Sequence, residues 1–293
     1  MNDFVEITFN PIKGLESVRA SILAILIKWW ESHKLGVNPV DDMTQCMMQM
    51  MMLKIRSLQV MFEGVTMVPN GKQQTLYHDL SSMAATTRGI YELAFIYHNI
   101  FISTENDVER RILMNIWKIK GFNNRLKSFV PDELKHEAER NQQEIDSLKN
   151  ETMQILDSIE INPSARTKIV KVINKNSSNL KGYKFVKGND NMITDFHPLD
   201  FTDATSMFNS EFMNDIYAYL SYHSHPSYLG LIQFGQISGI EQNYETGASF
   251  LYPACFCASK FTNDACEVLT DGSAIKREVI PDFRATINFF EYM

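Results

Sequence analysis

Two short blocks of this sequence carry side chains able to do chemistry. The first is Thr87-Arg-Gly-Ile-Tyr-Glu-Leu93, in which Arg88 and Glu92 stand four residues apart. On a helix that spacing lets the two side chains meet. An exposed pair of this kind contributes well under about 1 kcal/mol. A buried one is costly unless fully hydrogen-bonded, and then more often belongs to a site. The pair lies off the main apolar stripe of its segment, yet Tyr77, Ala84 and Phe95 flank the same side. A structural ion pair and a site member both remain open.

The second block is Tyr217-Ala-Tyr-Leu-Ser-Tyr-His-Ser-His-Pro-Ser227. Tyr217 and Ser221 are four apart and share a helix face. His225 precedes Pro226, which pushes it out of helical geometry. It is expected at the helix end, where carbonyls and the negative dipole favour an imidazolium. Three roles compete for it: helix cap, proton-transfer or substrate contact, and metal ligand. His223 and His225 lack a third ligand at a suitable spacing, with His197 the one distant partner. No metal and no cofactor is therefore expected. The methionines at 43, 47, 48, 50, 51 and 52 read as core filling, and Cys255, Cys257 and Cys266 as buried thiols.

A third feature is basic. Residues 165–187 hold seven Lys or Arg and no acid, with Tyr183 and Phe185 among them. Lys181, Lys184 and Lys187 are the candidate nucleic-acid contacts, through phosphate charge and base stacking. The competing reading is a solvated face paired with the acidic segment before it, since residues 131–160 hold nine acids and three bases.

The elements that must position these residues follow from apolar periodicity. Leu15, Val18, Ile22, Ile25 and Trp29 mark a helix over 14–34, and a second runs from Asp41 to about Val65. Pro69-Asn-Gly71 marks a turn, and a third helix is predicted from Thr75 to Ile102. Thr104 and Asp107 resemble a capping box opening the next helix. From Pro131 to Glu160 apolar residues step by four and three, the mark of a heptad seam. Asn141 and Thr152 weaken it, which favours an intramolecular hairpin over a strong dimer. Asn174 to Asn191 reads as a basic loop, Ser210–Ser224 and Thr246–Thr270 as helices, and Pro281–Tyr292 as a closing helix or strand. The predicted architecture is all-α: one domain over residues 1–293, a multi-helix bundle with a long helical hairpin arm around Pro131–Glu160 and a basic loop at 165–191.

The net charge of −7 argues against a general nucleic-acid binder, and the four cysteines do not form a disulfide framework. No export signal and no membrane-length apolar run is visible, so a cytoplasmic setting is expected. Phosphate loops, nucleophile elbows and His-Glu-x-x-His motifs are absent from the sequence.

The order of the two polar blocks resembles a family of uncharacterised bacterial all-helical proteins, a domain of unknown function. Its pattern is an Arg-x3-Glu helix followed much later by a Tyr-x2-Leu-Ser-x3-His helix end. Arg88, Glu92, Tyr217, Leu220, Ser221 and His225 are the matching residues, with Phe201-Thr-Asp-Ala-Thr205 as the lead-in. The resemblance implies a helical fold without an established activity, and convergence of Arg88, Glu92, Ser221 and His225. A looser similarity is to helical RNA-cleaving toxins of phage-defence systems, which place a His four to six residues after an Arg. Here Arg88 and His98 are ten apart, so that pattern would have to be assembled from two helices.

Three functions follow, in this order. The first is a binding or regulatory module for a protein or RNA partner, in a bacterial defence or regulatory system. The second is a nuclease or other phosphate-ester hydrolase in which His225 moves a proton and Arg88 neutralises phosphate charge. The third is a structural protein that forms a homodimer through its arm.

Overall fold

The computed structural model describes residues 10–67, 75–127, 131, 133, 135–175, 177, 181–189, 191–203, 213, 215–225, 228–236 and 240–279. Helices dominate it, as the apolar periodicity requires, and the fold is all-α with a multi-helix arrangement. Among the described residues, no helix is long and apolar enough to cross a membrane. The chain forms two compact units. One combines Met1–Tyr97 with Ala204–Met293, and the other is His98–Asp203.

The first unit begins with α1 (Pro11–Ser32). Asn10 caps it by accepting from the Ile12 and Lys13 amides, and Pro11 occupies the first helical position. Its stripe of Leu15, Val18, Ile22, Ile25 and Trp29 is 0–1% exposed. Asn38 caps α2 (Pro39–Phe62) in the same way. Met47, Met48 and Met51 of the methionine cluster enter the core, whereas Met50 is half exposed. The helix expected from Thr75 starts later. Val65–Met67 (β1) and Thr75–Tyr77 (β2) pair antiparallel, and α3 (Leu80–Phe101) follows. The physical reason is Asp79, whose carboxylate accepts from the Ser82 amide and hydroxyl and caps the helix there.

The C-terminal elements of this unit are α7 (Ile216–Ser224), α8 (Tyr228–Gln236), α9 (Ile240–Val268) and α10 (Gly272–Val279). Through its middle, α9 is buried on nearly every side, by Phe250, Leu251, Ala254, Cys255, Phe256, Cys257, Ala258 and Phe261. It packs on α1 and α2, and α10 also covers α1. Asp41 in the first turn of α2 accepts from the Thr270 amide at 2.9 Å and from its hydroxyl at 2.6 Å, tying the two ends of the unit together. Burial raises the Cys255 and Cys266 thiols to about 12, consistent with inert core residues. The segment 281–292 lies outside the described residues, as does the turn at 69–71.

In the second unit, α4 (Asp107–Lys127) and α5 (Lys135–Ser158) form the long antiparallel hairpin that the heptad seam predicts. Ile112, Ile116 and Ile119 are buried from α4; Ile145, Leu148 and Ile155 are buried from α5. Thr152 is accommodated by donating to the Leu148 carbonyl and accepting from Asn115. The cap of α4 is Asn106 with Glu109, not Thr104 with Asp107: Asn106 accepts from the Glu109 amide, and Glu109 reaches back to the Glu105 amide. Thr104 instead donates to the Ile100 carbonyl.

The basic segment is not a loop throughout. Residues Pro163–Asn174 form α6, and Gly182–Lys187 (β3) pairs antiparallel with Ile193–Leu199 (β4). Tyr183 stacks on Phe196, with centroids 5.0 Å apart and 6° between ring planes. Asn99 holds the strand by both backbone groups of Tyr183, donating to its carbonyl at 2.9 Å and accepting from its amide at 3.0 Å. These aromatic pairings outweigh the loop-like Asn, Ser and Lys composition.

Candidate functional site

The two polar blocks converge within the first unit. Arg88 and Glu92 project from α3, Tyr217 and Ser221 from α7, and His225 caps α7 in an extended conformation, before Pro226. The Arg88 guanidinium holds three partners. Its Nε donates to Glu92 Oε1 at 2.8 Å, one Nη donates to the Tyr217 hydroxyl at 2.7 Å, and the other lies 2.8 Å from His225 Nε2. Tyr217 in turn donates to Glu92 Oε1 at 3.1 Å, closing a ring of contacts. The guanidinium carbon also sits 4.8 Å from the centroid of the Tyr217 ring.

This arrangement is half open: the Arg88 side chain is 24% exposed and that of Glu92 32%. Burial alone would lower the Arg88 guanidinium, but the Glu92 hydrogen bond and charge, with Tyr217 adding to them, hold it above its ordinary value. Burial first, and then the Glu92 carboxylate, raise Tyr217 to about 12, so its hydroxyl keeps its proton.

Arginine can only donate, so its contact with His225 assigns the roles on the imidazole. Nε2 is the acceptor and the ring proton sits on Nδ1. A general base at Nε2 would first have to release the guanidinium. Ser221 donates to the Tyr217 carbonyl at 2.7 Å, one turn back along its own helix. That is the local bonding common to helical serines, and it leaves the hydroxyl without an activating base among the described residues. His223 does not join the cluster. It packs edge-on against Tyr219 and Phe250, and burial lowers its imidazole.

The three candidate nucleic-acid lysines are placed differently from one another. Lys187 is 16% exposed at its side chain and lies between Glu105 and Glu109, at 2.6 and 2.7 Å. Lys181 pairs with Asp200, and Lys184 is exposed on β3, opposite His197. Among the described residues, no group of three or more His, Cys, Asp or Glu is placed to hold a metal ion.

One charged residue escaped the sequence reading. Lys120 on α4 is 5% exposed, without a hydrogen-bond or ion-pair partner among the described residues. Its helical position beside Ile116 and Ile119 was the available signal, because it falls near the buried face.

Comparison with known proteins gives no match: no family model, no curated protein and no solved structure aligns with this chain.

Proposed function

We propose that the protein is a binding or regulatory module and that its Arg88 centre receives one anionic group of a partner. The observation that carries this reading is the division of the guanidinium among Glu92, Tyr217 and His225. Three of its five N–H groups are engaged, and the remaining two belong to a partly exposed, rigidly held fork suited to a carboxylate or phosphate. Fixing the fork in advance reduces the ordering cost of binding. The groups needed for hydrolysis are engaged elsewhere: Ser221 on a backbone carbonyl and His225 Nε2 on the guanidinium.

The arm supports a module and not an oligomerising protein, because its heptad seam is buried against α4 within the same unit. A cytoplasmic, bacterial setting belongs to the same proposal. It rests on the buried, unpaired thiols and on the resemblance of the two polar blocks.

Titration with pyrophosphate, followed by NMR at the Arg88 Nε–H and the His225 ring, tests the reading. Both signals are expected to shift together, and Arg88→Ala to abolish the His225 response. No response at millimolar pyrophosphate would remove the anion-receiving role. The competing hydrolase reading draws on the 2.8 Å approach of Arg88 to His225. It predicts cleavage of RNA or phosphate esters that disappears in His225→Ala; such cleavage would replace the binding proposal.

A further inference from the structure

The second unit contains a cavity of about 390 Å³ lined by α4, α6 and the β3–β4 hairpin. Its apolar side is made by Val172, Pro198 and Tyr183, with Phe196 stacked against Tyr183 and almost fully buried. Lysines 120, 168, 171, 175 and 181 also line it. Two of these have local counter-charges, Lys168 on Asp195 and Lys181 on Asp200. His197 shares Asp195 with Lys168, at 2.9 Å. The ammonium groups of Lys171 and Lys175 have no partner among the described residues.

Lys120 is the most informative of the five. Lys120 is 5% exposed and has no acceptor among the described residues, so its ammonium is only partly hydrated at the cavity wall. Burial, reinforced by the charges of Lys175 and Lys127, pulls its ammonium below the ordinary lysine value. A merely solvated basic face would turn its amines outward into water. Here Lys120, 5% exposed as a residue, lines one concavity together with Lys171 and Lys175, two exposed lysines without a partner among the described residues.

We infer that this cavity binds a small phosphorylated compound bearing a flat ring, of the nucleoside-phosphate class. The phosphate lies among Lys120, Lys171 and Lys175, and the ring lies against Val172, Pro198 and the part of Tyr183 that reaches the cavity. A phosphate would provide the missing counter-charge, and lysines serve phosphate as point charges. A flat ring covers such an apolar wall without needing a base-specific contact. The volume is that of a small-molecule site and holds one nucleotide, not a length of RNA. None of these residues belongs to the Arg88 centre, so the two proposals stand or fall separately.

The test is calorimetric titration of the full chain with AMP, ADP, adenosine, inorganic phosphate and a short oligoribonucleotide. AMP and ADP are expected to saturate one site, with adenosine and inorganic phosphate each at least about tenfold weaker. Affinity should fall by about tenfold or more in Lys120→Met, and again in the exposed pair Lys171→Ala/Lys175→Ala. Lys120→Met removes an unpaired charge, so its melting temperature should not drop, and the exposed double variant guards against a folding artefact. The inference is overturned if the wild type shows no saturable binding of AMP or ADP. Unchanged affinity in both variants would also overturn it. Inorganic phosphate binding as tightly as AMP would eliminate the role of the ring. Oligoribonucleotide binding that AMP fails to displace would mark an RNA surface instead.

Discussion

Arg88 in the first unit and Lys120 in the second are both cations withdrawn from water, and the chain treats them in opposite ways. Arg88 meets a carboxylate, a phenol and an imidazole, each within 2.8 Å. Lys120 is less exposed and, among the described residues, meets none; the same holds for Lys171 and Lys175 lining the same cavity. The first arrangement rigidifies a charge and holds α7 on α3. The second leaves a charge uncompensated, a state that favours whatever anion can reach it. The contrast separates a polar network that stabilises a fold from one whose completion depends on something outside the chain.

The comparison can be broken or sharpened by substitutions at four positions, in falling order of effect. Asn99→Ala removes both bonds to the Tyr183 backbone and leaves a buried amide and carbonyl unanswered. A loss of about 3 kcal/mol is expected by chemical denaturation. If the β3–β4 hairpin builds the cavity wall, nucleotide binding should vanish with it.

Arg88→Met should lower stability by about 2 kcal/mol, because Glu92 and Tyr217 lose a partner in a half-buried setting. Arg88→Lys should recover little of it, since one ammonium does not reproduce a planar fork with three directed bonds. Full recovery by lysine would reduce the centre to a simple ion pair.

Lys120→Met is expected to act in the reverse direction and stabilise the chain by about 1 kcal/mol at neutral pH. Its pH dependence has a definite sign. With the folded amine below the ordinary lysine value, the unfolded chain binds the extra proton in the window between the two. Wild-type stability should therefore rise relative to Lys120→Met as pH climbs through that window. A difference that stays flat up to the ordinary lysine value would mean that the amine is already compensated.

His225→Ala is the mildest change. The residue is exposed and its contact lies at the edge of the network, so the expected loss is under about 0.5 kcal/mol. A larger loss would mean that the contact with Arg88 holds the end of α7 in place.

The long helices were legible because their apolar stripes repeat faithfully. Leu15 through Trp29, Ile112 through Ile119 and Ile145 through Ile155 all face inward where periodicity places them. The resemblance implied convergence of Arg88, Glu92, Ser221 and His225; the geometry brings Arg88, Glu92 and His225 together with Tyr217 and leaves Ser221 bonded within its own helix. The two hairpins were not read. Tyr183, Lys184 and Phe185 alternate aromatic with basic, a period-two signal hidden by a composition that suggests a loop. Strand pairing also depends on a partner strand later in the sequence, which a local pattern does not reveal. Lys120 was illegible for a further reason: sequence shows that a lysine is present, but only packing shows that no acid among the described residues comes to meet it.

The first unit is assembled from both ends of the chain, and α1 lies under α9 and α10. The apolar stripe of α1 is therefore completed only by residues from 240 onward, whereas residues 98–203 form a compact unit from one continuous stretch that can close early. Release of a chain truncated before residue 240 would leave Leu15, Ile22 and Trp29 without their cover, so chaperone dependence should concentrate on the N-terminal helix and not on the arm.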